Sequence, residues 1–205
     1  MKKVLFLFLT FASDLAVFAQ QNVALQWNSQ PFQLQKQQPL NDSISISISQ
    51  FKVYIQGSQI KKESQVFLID AEDENSLSWA ENQGQLQIGL DPSIQVSGAF
   101  NGVLDPINGM YWAWNTGFIT IKCVGDITNN KTKQTETFEL HLGGYEEPFA
   151  CQYRLPGEGE TLVIEIGKWL ASYNYSELAG LHVMQPSTKS KALFDRFKSH
   201  VYYAP

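Results

Sequence analysis

The sequence predicts an all-β protein, an antiparallel β-sandwich with a short C-terminal helix. Three observations carry that expectation. Apolar residues recur at every second position in short runs, the mark of a strand with one buried face. Clusters of Gly, Pro, Asn and Asp separate the runs and supply turns. Ala192, Leu193, Phe194 and Phe197 recur at helical spacing within Pro186–Phe197, near the C-terminus. A chain of 205 residues with this pattern forms one main domain.

Composition narrows the class. Apolar residues make up 43% and charged residues 17%, the balance of a folded chain rather than a disordered one. The net charge of −5 leaves no basic excess to neutralise phosphates, which argues against nucleic acid as a partner. Three histidines and two cysteines exclude Cys-rich zinc modules and dense disulfide scaffolds.

The elements follow in order. Lys2 and Lys3 precede the apolar run Val4–Phe11, and Val17-Phe18-Ala19 fits a small-residue cleavage site. Residues 1–19 therefore read as a signal peptide, too short to span a membrane and interrupted by Asp14. The chain is expected in the periplasm or the extracellular space after cleavage near Ala19. It leaves 13 basic and 19 acidic residues and no apolar stretch long enough to span. Residues 20–42 form a Gln-rich N-terminal strand or arm, punctuated by Trp27, Phe32 and Leu34, and residues 43–205 form the main domain.

Ile44, Ile46 and Ile48 alternate with serines, whereas Phe51, Val53 and Ile55 alternate in the opposite phase. A strand that keeps one face buried absorbs that slip with a bulge near Ser49-Gln50. Val66–Ile69 is a short strand ending in the acidic turn Asp70–Asp73, and Leu86, Ile88 and Leu90 form another, stopped by Asp91-Pro92. Residues 97–110 carry Asp105-Pro106 and Asn108-Gly109, which is turn chemistry. Ile119, Ile121 and Cys123 share one strand face, and Gly125–Thr135 reads as a polar hairpin loop. Phe138, Leu140 and Leu142 face the core on the return strand, so Glu139 and His141 point the other way. Cys151, Tyr153 and Leu155 form a further inward set, as do Leu162, Ile164 and Ile166.

Few residues offer chemistry. Trp112 and Trp114 are two apart, so an extended segment points both indoles to one side. They can be core, a stacking platform for a ligand, or part of a metal site. His141 stands on a strand face opposite the core, where an imidazole can ligate copper or zinc. His182 and Met184, two apart, pair an imidazole with a thioether, a set that suits soft Cu(I) and equally fits strand packing. In an exported chain, Cys123 and Cys151 are expected to form a disulfide closing a loop of about 27 residues. Asp91 and Asp105 each precede proline, and turn initiation outweighs a paired-carboxylate or calcium role. No GxSxG, HExxH, P-loop or GxGxxG element is present, so no enzyme class is indicated.

The segment Gly-Met-Tyr-Trp-Ala-Trp-Asn-Thr-Gly-Phe-Ile, residues 109–119, resembles the hallmark of the MbnP-like proteins, an exported bacterial copper-binding family. Val53-Tyr54-Ile55, Leu68-Ile69-Asp70-Ala71, Ile88–Asp91, Gly102–Gly109 and Phe138–Gly143 resemble other family segments in the same order. The resemblance implies a β-sandwich, a non-enzymatic role in sequestering or delivering copper, and a mononuclear site. That site is built from histidines and a tryptophan oxidised to kynurenine by a dihaem partner enzyme. It implies His141 as a copper ligand and Trp112 or Trp114 as the modified residue; His182 and Met184 stay metal candidates on their own chemistry, as substitutes if the fold brings them beside His141. The chain departs from the pattern at Phe67, where many members carry a histidine.

Overall fold

The computed structural model describes residues 20–57, 66–73, 78–80, 85–95, 100–145, 149–154 and 160–205. The expected signal peptide of residues 1–19 and the expected inward Leu155 lie outside the described residues. The described chain runs β1 (Gln20–Trp27), β2 (Gln30–Pro31), β3 (Gln37–Asn41), β4 (Ile44–Gly57), β5 (Val66–Asp70), β6 (Ser78–Ala80) and β7 (Gln85–Ile88). It continues through α1 (Pro92–Gln95), β8 (Tyr111–Ala113), β9 (Gly117–Asn129), β10 (Thr135–Gly143), β11 (Cys151–Arg154) and β12 (Thr161–Glu165). The last elements are α2 (Ile166–Ala171), α3 (Tyr175–Leu178), β13 (His182–Val183), α4 (Thr188–Lys198) and β14 (Val201–Ala204).

These strands form two sheets. The larger follows the order β11-β7-β4-β9-β10-β13, with β3 and β5 also on β4 and β8 on β9. The smaller follows β14-β12-β1-β2, with β6 on β1. One core fills the space between them, joining Ile46, Ile48, Phe51, Val53, Ile121, Cys123, Phe138, Leu140 and Leu142 of the larger sheet to Val23, Leu25, Leu162, Ile164 and Val201 of the smaller. The architecture is the sandwich with a C-terminal helix that the alternation predicts. Its sheets are mixed: β1 runs parallel to β12 and β13 parallel to β10, while the other pairings are antiparallel.

The phase slip in β4 resolves as expected. Ile48 pairs with Gly125 and Gln50 with Val124, leaving Ser49 as the extra residue of a bulge, and apolar residues on both sides of it enter one core. The C-terminal helix also forms where its spacing predicts. Ser187 Oγ accepts from Ser190 N–H at 3.1 Å while Ser190 Oγ accepts from Ser187 N–H at 2.7 Å, a reciprocal cap that starts α4. Leu193, Phe194 and Phe197 then pack into the core.

Other expectations change. The hairpin loop is shorter than Gly125–Thr135, because β9 continues to Asn129 and buries Ile127. Ile119 does not share the face of Ile121 and Cys123. The register slips between Leu142 and Gly143, whose partners are Ile121 and Ile119, so the alternation of β9 shifts at Thr120. Ile119 joins a second apolar cluster with Tyr54, Leu90, Leu104, Met110 and Phe118, on the larger sheet's outer face. Leu90 is there as well, apart from Leu86 and Ile88, because Gly89 turns the chain with φ +96°. Asp91 and Asp105 serve turns: their carboxylates accept from Ser93 and Ile107 N–H at 2.8 and 2.9 Å.

The expected disulfide is absent, and Cys123 and Cys151 are free thiols. Cys123 lies opposite Phe51 of β4, whereas Cys151 lies opposite Ile88, itself opposite Ile55. Four residues of extended chain separate the two levels by about 13 Å, beyond the roughly 7 Å that a disulfide can bridge.

Candidate functional site

Strand pairing builds a polar row across the outer face of the larger sheet. Asp70 pairs with Lys52, Lys52 with Lys122, and Lys122 with His141. Residues directly opposite across an antiparallel ladder carry their side chains on the same face, with Cβ atoms about 4.5–5.5 Å apart. The inward neighbours Val53, Ile121, Leu140 and Leu142 fix this face by alternation. Lys52 forms an ion pair with Asp70 at 2.8 Å. Lys122 has no carboxylate partner within ion-pair distance among the described residues, and its ammonium reaches only the Gly109 carbonyl, at 3.5 Å.

His141 is 7% exposed, and neither ring nitrogen has a hydrogen-bond partner among the described residues. Burial, then the Lys122 ammonium, push its imidazole down to about 4, while Glu139 acts in the opposite sense. At neutral pH the ring is therefore uncharged, with a lone pair free to bind a ligand.

On the far side of β10, β13 pairs Glu139 with His182 and Leu140 with Val183. Val183 is buried in the main core, which turns His182 to the outer face, with His182 Nδ1 4.0 Å from Glu139 Oε1. β13 ends at Val183, and Met184 follows it outside the strand. The chain stays beside β10 beyond this point: a Cβ on Gly144 would lie 2.6 Å from the Pro186 ring. The fold thus brings His141 and His182 to one face on neighbouring strands, with His182 exposed and Met184, just past the end of β13, exposed as well.

The two tryptophans separate, contrary to the expectation that both point one way. β8 ends at Ala113, so Trp114 falls in the turn that follows and is 84% exposed. Trp112 is half-buried against the outer apolar cluster, and its Nε1 is buried without a partner among the described residues. A stacking platform of two exposed indoles does not form. Phe67 pairs with Ile55 and packs on the main core, so it occupies the sheet face opposite to His141.

The arrangement suits a soft ion better than a hard one. Among the described residues no group of three His, Cys, Asp or Glu could hold a metal. The donors that share a face are the imidazoles of His141 and His182, with the Met184 thioether next in the chain after β13, a set that favours Cu(I) over ions that need several carboxylates. The unpartnered nitrogens of His141 fit a ligand role.

Lys122 is the site residue that sequence reasoning missed. The turn residues Asn129–Gln134 carry the signal, because Lys122 and His141 are equally far from its centre along the two strands. Drawing the loop from Gly125 conceals that pairing.

Fold and site together define a two-sheet β-sandwich protein with an imidazole-bearing outer face. The family model for MbnP matches residues 19–185, and the chain belongs to the MbnP family. Among solved structures it is similar to MbnP from Methylosinus trichosporium, at 12% identity and TM-score 0.48 over 82% of this chain and 80% of that one. A search of curated protein sequences finds no match. Among the described residues no helix is long and apolar enough to cross a membrane.

Proposed function

We propose that this chain is an exported, non-enzymatic copper-binding protein that sequesters or delivers Cu(I). The carrying observation is His141, a buried and uncharged imidazole with both nitrogens unpartnered among the described residues. Membership of the MbnP family supports the reading. His141 is the primary ligand. Met184 and His182 complete the donor set, a reading supported by the pairing of His182 with Glu139, two residues from His141. Trp112 is the better candidate of the two tryptophans for oxidation to kynurenine by a dihaem partner. Its indole shares the outer face with His141 and its N–H is unpartnered among the described residues, whereas Trp114 stands in solvent.

The test is a native mass spectrum of the protein purified from its own cells, grown with copper. One bound copper is expected, with one oxygen gained and one carbon lost in the peptide carrying Trp112. Metal-free, unmodified protein that also fails to take up Cu(I) in anaerobic titration would overturn the reading.

A further inference from the structure

We propose that the cleft between α3 and α4 binds a small amphipathic monocarboxylate, its hydrocarbon body on the cleft floor and its anionic end at the rim. The cleft has a volume of about 400 Å³, within the range of small-molecule sites. None of the copper candidates lines it, so the proposal stands apart from the copper reading. Tyr173, Leu181 and Leu193 form the floor. All three are buried members of the main core, so packing fixes the apolar surface they present.

The charges of the cleft belong to Lys189, Arg196 and Glu177. The guanidinium carbon of Arg196 lies 4.3 Å from the centre of the Tyr173 ring, and Nη1 donates to the Ser172 carbonyl at 3.0 Å. These contacts hold the guanidinium in place, while Nε and Nη2 have no partner among the described residues. Glu177 approaches Nη1 only to 3.9 Å, and its other oxygen accepts from Asn174 N–H at 2.8 Å in the cap of α3. Lys189 has no hydrogen bond or ion pair among the described residues. Asp195, the carboxylate of α4, is held by Lys191 and Lys198 at 2.5 and 2.6 Å and does not line the cleft. Two cations thus share the cleft with one carboxylate, a local positive excess on a chain of net charge −5. A carboxylate can accept from the free guanidinium N–H groups while Lys189 supplies the unmatched charge. Glu177 would repel a second negative charge, which favours a monoanion.

The probe is octanoate, titrated calorimetrically into the metal-free protein. Octanamide serves as the neutral analogue and acetate as the analogue without a hydrocarbon body. One saturable site is expected for octanoate, with both analogues about tenfold weaker or worse. Lys189→Met is expected to weaken octanoate about fivefold. Ala192→Trp fills the cleft from an exposed position on α4 and is expected to abolish binding. Urea midpoints check that both variants are folded, and Lys189→Met decides if Ala192→Trp is not. The proposal is overturned by any of three results: no saturable octanoate binding to wild type, equal affinity for octanamide, or wild-type octanoate affinity in either folded variant. None of these results bears on copper uptake.

Discussion

Burying His141 without a hydrogen bond lowers the stability of the fold, because its ring nitrogens lose water and gain no partner among the described residues. An apolar ring of similar size escapes that cost. His141→Phe is therefore expected to stabilise the metal-free protein by roughly 1 kcal/mol in denaturant unfolding and, on the proposed function, to show no added stability with Cu(I) where wild type does. A loss of stability instead would make the imidazole a packing element. The same residue sets a pH dependence. The folded imidazole titrates at about 4, and the unfolded one near 6.5. Between those values the unfolded chain binds more protons. The contribution of His141 is thus fully present above pH 6.5 and lost as pH falls toward 4. Unfolding midpoints measured across that window should decline in wild type and decline less in His141→Phe. The face of His141 was legible from the alternation of Phe138, Leu140 and Leu142. The separation of Trp112 from Trp114 was not, because Asn115 and Gly117 mark a turn but not the residue at which β8 gives way to it.

Single strands show why some registers can be read and others cannot. The bulge in β4 is written in its own sequence: Ile48 and Phe51 are three apart, and both must face inward. Deleting Ser49 gives an uninterrupted alternation that keeps both inside, so the variant should fold with stability within about 1 kcal/mol of wild type. Deleting Ser47 has no such solution. If the bulge persists, Ile46 turns outward; if it closes, Ile48 does. Either residue is fully buried, so the expected loss is roughly 2–4 kcal/mol, measured by the shift in urea midpoint. Equal effects from the two deletions would show that the bulge does not hold the register. The shift at Thr120 left no such trace. It comes from the pairing of β9 with Gly143, where an added Cβ would come within 2.3 Å of the Phe118 carbonyl. A constraint between strands distant in sequence cannot be read from the alternation of one of them.

At the scale of the molecule the same limit separates layers from neighbours. Strand count and alternation are enough to imply two sheets around one core, whereas the parallel placement of β1 beside β12 depends on contacts more than a hundred residues apart. The C-terminal region is the test of how the whole holds together. The family match ends at residue 185, yet α4 and β14 follow it and do not lie outside the core. Leu193, Phe194, Phe197 and Val201 are buried between the sheets, and β14 covers the edge of β12. At roughly 1.5–3 kcal/mol for each buried side chain, their removal forfeits an amount comparable to the whole stability of an ordinary domain, about 5–15 kcal/mol. A chain ended after Gln185 is therefore expected to lose its cooperative urea transition and to be digested rapidly by a nonspecific protease. The full chain should resist under the same conditions. Retention of a sharp transition would make α4 and β14 an appendage on a self-sufficient sandwich. It would then place the main stabilising packing within the segment common to the family.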